Sequence, residues 1–164
     1  MARLNCAFTT PAAASIANGA SAHVLQLVAP SNQRLCVQSI SLFGDSSSPT
    51  LAGVDFRIYR HTAAGTASSA GTPAAVNGGQ ETPRAVCNYA FSVAPTNASA
   101  PIEYGKFNPQ SGYLVIYPLG QEIIVPGGAA IGVYVTNNSG ASVLEKNLPL
   151  LKKKAKRTKK TKMP

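Results

Sequence analysis

No tryptophan occurs in the 164-residue chain, and histidine occurs only as His23 and His61. With two isolated imidazoles and no His-x-His pair, a metal site of the cupin kind has little to build on. Cysteine is sparse as well. Cys6, Cys36 and Cys87 are widely spaced, odd in number and free of any C-x-x-C pair. That pattern argues against a disulfide framework and against structural zinc. Cys36 and Cys87 each sit in an apolar run and are expected to be reduced, buried hydrophobes. Charged residues make up only 13% of the chain, about half the usual share. No run approaches the ~18 apolar residues that span a membrane, and no membrane partner is expected. The opening residues, MARLNCAFTT, lack the long apolar core of a secretory signal; the expectation is a soluble protein made in a cytoplasm.

Catalytic signatures are missing too. There is no P-loop, no G-x-G-x-x-G between a strand and a helix, and no G-x-S-x-G elbow. Five acidic residues scattered before residue 144 are a weak basis for the paired carboxylates of glycoside chemistry. Cys36 with His61 is the one nucleophile–base pair that can be drawn, and it needs proximity in space. A strand-edge histidine and a core cysteine is the preferred reading. The chain is expected to be no enzyme and to use no cofactor.

What is there is strand and turn. Apolar residues reach 45%, the ordinary share for a protein with a real core. Residues 113–136, YLVIYPLGQEIIVPGGAAIGVYVT, read as three short strands (113–117, 121–125 and 129–136) folded back on one another at Pro118-Leu119-Gly120 and Pro126-Gly127-Gly128. In the last of them Ile131, Val133 and Val135 alternate with Ala130, Gly132 and Tyr134, giving one plainly apolar face. Further strands are expected at 3–10, 22–29, 34–43, 51–60, 84–93 and 102–108, the last bulged at Gly105. In 51–60, Val54, Phe56 and Ile58 point inward and Asp55, Arg57 and Tyr59 outward. Residues 61–83 read as a long small-residue loop suited to contacts, and 95–101 as a turn. The six tyrosines at 59, 89, 104, 113, 117 and 134 all fall on expected strands, where packing is their commoner use.

This tally of roughly eight or nine strands with turn signals about every ten residues predicts an all-β protein. The expected architecture is an antiparallel jelly-roll-like sandwich of two sheets with about four strands each. An immunoglobulin-like sandwich lacks its Trp and its Cys pair. The sandwich is placed at 22–143, behind a flexible N-terminal arm or first strand at 1–21.

Charge divides the chain unevenly. Before residue 144, six basic residues face five acidic ones, leaving +1; from 144 to 164, nine basic residues face Glu145 alone, giving +8. Residues 144–151 (LEKNLPLL) form an apolar patch broken by Pro149. The cations that follow are Lys152, Lys153, Lys154, Lys156, Arg157, Lys159, Lys160 and Lys162. Such a run cannot bury itself. It suits salt-sensitive binding to a polyanion, either nucleic acid or an acidic protein surface.

Three stretches carry a resemblance: Ser41–Gly44 (SLFG) leading to Val54–Arg60 (VDFRIYR), a Gly/Ala/Thr-rich segment with Thr72-Pro73, and Gln121–Val135 (QEIIVPGGAAIGVYV). Across 22–137 the pattern resembles the small β-sandwich or jelly-roll cement and decoration proteins of tailed bacteriophages. The resemblance implies a virion protein on the capsid surface. It implies trimers, or else dimers, that staple neighbouring major capsid protein subunits. The contact segments would be 1–21 and 61–83. A viral coat or accessory protein whose lysine tail holds nucleic acid is the alternative, followed by a tail-associated carbohydrate-binding module.

Overall fold

The computed structural model describes residues 5–11, 14–44, 53–76, 83–109 and 111–138. Among them are twelve β-strands and no α-helix. They are β1 (Cys6–Ala7), β2 (Ser21–Val28), β3 (Leu35–Val37), β4 (Ser39–Leu42), β5 (Val54–Ala63), β6 (Thr66–Gly71), β7 (Ala74–Ala75), β8 (Val86–Val93), β9 (Thr96–Phe107), β10 (Tyr113–Ile116), β11 (Ile123–Val125) and β12 (Ala130–Thr136). All pairings are antiparallel.

The main layer is a six-stranded sheet in the order β6-β8-β2-β12-β5-β9. The first long strand lies beside the last, and the last beside the middle strand β5. Wrapping a folded-over chain produces this jelly-roll-like interleaving. Alternation decides which side chains point inward. Ile131, Val133 and Val135 of β12 register with Arg60, Ile58 and Phe56 of β5, so both strands offer one apolar face. Phe56 and Ile58 are fully buried there, each stabilising by about 1.5–3 kcal/mol. Gly105 of β9 stands opposite Phe56. A Cβ on Gly105 would come within 2.5 Å of the phenyl ring, so the glycine seats the ring and is no bulge. The irregularity of β9 falls further along, opposite Ile58 and Tyr59.

The covering layer is narrower than a four-stranded sheet. It is a ribbon in which β11 pairs with β3 and β10 with β4. Residues 113–136 therefore do not fold back on one another. β10 and β11 join the ribbon while β12 crosses to the centre of the main sheet. The sequence shows three runs and two turns, but partners are chosen by burial, and β12 finds apolar neighbours on both sides in β2 and β5. The ribbon also explains a break. Leu35 and Val37 face the core before Gln38, and Ile40 and Leu42 after it. A switch of parity needs an irregular residue, and the strand expected at 34–43 is split there into two.

Two other expectations are corrected. Much of 61–83 is ladder: β5 runs to Ala63, and β6 forms an edge strand on β8. An edge strand is held by backbone hydrogen bonds on one side and needs no bulky alternation. Residues 96–101 belong to β9 rather than to a turn. The described residues of 1–21 contact the rest of the chain. β1 pairs with β7, the Phe8 ring lies 6.1 Å from that of Tyr89, and Asn137 donates to the Ile16 carbonyl at 2.7 Å.

Candidate functional site

The ribbon is apolar on both sides, and its outer side is uncovered. In β10, Tyr113 packs against the core, and alternation leaves Leu114 and Ile116 outward, 61% and 68% exposed. Their ladder partners are Ser41 and Ser39, so small hydroxyls flank the two hydrophobes and leave them standing proud. Ile124 of β11 continues the same face opposite Cys36. The turn between β10 and β11 adds Leu119, 79% exposed, beside Gly120 at φ 89°. At the far end, Phe43 lies over Gly112, whose φ of 69° and lack of a Cβ make room for the ring. Large exposed hydrophobes scattered singly are normal; a row of them along one ribbon is a candidate interaction surface.

The face is braced from beneath. Tyr113 donates its hydroxyl to one oxygen of Glu103 at 2.7 Å, and Tyr117 donates to the other. Both phenols are held above their usual range. For Tyr113 the hydrogen bond to Glu103 comes first; for Tyr117 burial comes first and the Glu103 bond second. Both therefore remain donors at neutral pH. Arg60 reaches across from the main sheet to donate to the Ile124 carbonyl at 3.0 Å. A ribbon clamped at both ends loses little conformational freedom on docking.

The residues singled out in sequence are dispersed. Lys152, Lys153, Lys154, Lys156, Arg157, Lys159, Lys160 and Lys162 lie outside the described residues, as does all of 144–164. Cys36 and His61 are on different layers and make no dyad. Cys87 is buried in the main sheet, and burial pushes its thiol up to about 11, which keeps it un-ionised. All three cysteines are free. The histidines bond to amides: His23 to Asn97 at 2.9 Å and His61 to Gln26 at 2.7 Å. Among the described residues, no three His, Cys, Asp or Glu side chains are grouped to hold a metal ion. Tyr59 and Tyr134 pack edge to face at 6.2 Å, and Tyr104 lies beneath the Arg57 guanidinium at 5.2 Å.

The exposed apolar row was missed by reasoning on alternation. Its signal is the run YLVIY, apolar at both parities in a strand of the thin outer layer. No protein-family model, curated protein or solved structure matches the chain.

Proposed function

We propose that the chain is a structural virion protein that oligomerises on a phage head and stabilises it by bridging major capsid subunits. The observation that carries this reading is the outward row of Leu114, Ile116 and Ile124 on a sandwich whose body is almost neutral. A low-charge surface with one apolar strip is suited to permanent contacts, in which charged groups are depleted at the centre. Interfaces of standard size bury about 1,600 Å² in total, and bridging subunits adds that area to what must be broken before a pressurised shell opens. The sandwich and the sequence resemblance described above support the same reading.

The test pairs composition with association. Mass spectrometry of purified virions is expected to find the chain, and light scattering to find an oligomer. Replacing Leu114 and Ile116 together by Asp is expected to yield monomers with a melting temperature little changed, since exposed sites alter stability by within about 0.5 kcal/mol. A monomeric wild-type protein absent from virions would overturn the proposal.

The +8 balance of residues 144–164 favours a second reading, retention of nucleic acid by the lysine tail. Filter binding against salt is expected to give a log–log slope of about −0.9 for each phosphate neutralised on duplex DNA. Unchanged affinity on deleting 152–164 rejects it.

A further inference from the structure

The outer face of the main sheet carries a polar arrangement that stands apart from the docking face and from the virion reading. Gln26 is fully buried, a costly place for an amide unless both its ends are bonded. They are. Asn88 Nδ2 donates to Gln26 Oε1 at 3.0 Å, and Gln26 Nε2 donates to His61 Nδ1 at 2.7 Å. An amide nitrogen offers only hydrogens, so His61 Nδ1 must offer its lone pair. The ring is therefore neutral, with its proton on Nε2. It rests on Gly132, where any Cβ would collide with it. Nε2 is buried and has no hydrogen-bond partner.

Among the described residues, the groups around this ring provide no counter-charge. From β2 comes His23, edge-on at 5.5 Å between centroids. From β12 comes Tyr134, 4.8 Å from the His23 ring. From β9 comes Asn97, whose carbonyl oxygen is bonded to His23. Asn88 of β8 acts through Gln26. On β5 itself Tyr59 and Arg57 share the face, the latter cationic. Among the described residues of this face the carboxylate is Asp55, at the opposite end of β5 and paired with Lys106 at 3.2 Å. Burial, and then the neighbouring His23, push His61 down to about 4.

We propose that His61 is a proton-operated catch on the β6–β8 hairpin. A proton arriving at Nδ1 turns that atom into a donor facing a donor. The bond survives only if the Gln26 amide turns over to present Oε1. Gln26 Nε2 then faces Asn88 Nδ2, so Asn88 must turn as well or let go. The Gln26–Asn88 bond lies on the seam between β2 and β8, and that ladder holds three residue pairs: Gln26 with Asn88, Leu27 with Cys87, and Val28 with Val86. Among the described residues β6 is paired with β8 alone, so it follows wherever β8 goes. The β2–β12–β5 ladders, with seven registered pairs on each side of β12, stay closed. Protonation thus loosens one edge of the sheet and leaves its centre intact.

Hydrogen exchange on the full chain tests this, run near neutral pH and at about pH 4 and corrected for intrinsic rates. Amides of 66–71 and 86–93 are expected to lose protection about tenfold or more beyond the general fall in stability at the lower pH, while those of 54–60 and 130–136 follow that fall alone and stay the slowest to exchange. The histidine ¹⁵N spectrum is expected to show the Nε2–H tautomer of His61 at neutral pH and its loss as the hairpin loosens. His61→Gln is expected to abolish the response, and His23→Gln to keep it. If His61→Gln does not fold, the wild-type tautomer and exchange data decide alone. An Nδ1–H tautomer at neutral pH, uniform loosening of all strands, or a hairpin that stays protected while His61 titrates would each overturn the proposal.

Discussion

At Gly132 an absent side chain decides what its neighbours do. A methyl there would strike the His61 ring and come within 2.7 Å of the Leu25 carbonyl oxygen. The second contact is to backbone, which cannot swing away. Gly132→Ala is expected to destabilise by about 1–3 kcal/mol, as overpacking does, read as a lower urea midpoint with an unchanged slope. His61 makes a pH-dependent contribution of known sign. Its folded pKa of about 4 lies below its ordinary value of 6.5, so between those limits the unfolded chain binds a proton that the folded one refuses. Stability is fully present above about pH 6.5 and falls as the pH drops toward 4. The melting temperature is expected to fall by about 5 °C or more across that window, and His61→Gln to flatten the response. Gly132 was legible in sequence only as the small side of an alternating strand. That it seats His61 depends on a residue seventy-one positions away, and no local pattern records such a pairing.

Strands were the most legible elements. The inward sets Val54, Phe56, Ile58 and Ile131, Val133, Val135 follow from alternation alone, and the core contains all six. Alternation fails where the chain changes step. In β2 a register shift opposite Val133 and Tyr134 lets Val24 reach the core while Gln26, two positions on, faces outward. At Gln38 the same thing happens in the ribbon. A reader of one strand cannot see such steps, because they are set by the partner strand. β6 was missed for a different reason: TASSAG has no hydrophobic rhythm, and its order is supplied by β8. The ribbon depends on one carboxylate. Tyr117→Phe removes one of the two hydroxyls on Glu103 and is expected to cost about 1–2 kcal/mol by chemical denaturation. Tyr113 keeps its bond, so the association proposed for the Leu114–Ile116 face is expected to persist.

For the whole molecule, most contacts join residues far apart in sequence. Such a topology folds slowly, because loop closure must precede the contacts that reward it. The fold class was legible because strand periodicity and turn chemistry recur along the chain. The unequal layers were not, because sheet membership depends on which long-range partners are available. The candidate interface shares that obscurity, since exposure on an outer face depends on what the rest of the chain leaves uncovered.

The place of β12 has a consequence for synthesis. It is the last described strand to leave the ribosome, and it fills the slot between β2 and β5. Until residues 130–136 emerge, those two strands have no partner between them, and each presents an open edge. The domain therefore cannot close progressively from its N-terminus; it waits, unfolded and adhesive, for its keystone. Stalled nascent chains ending before residue 130 are expected to remain protease-sensitive and to bind chaperones. Chains extended far enough to free residue 136 from the exit tunnel are expected to become resistant in a single step.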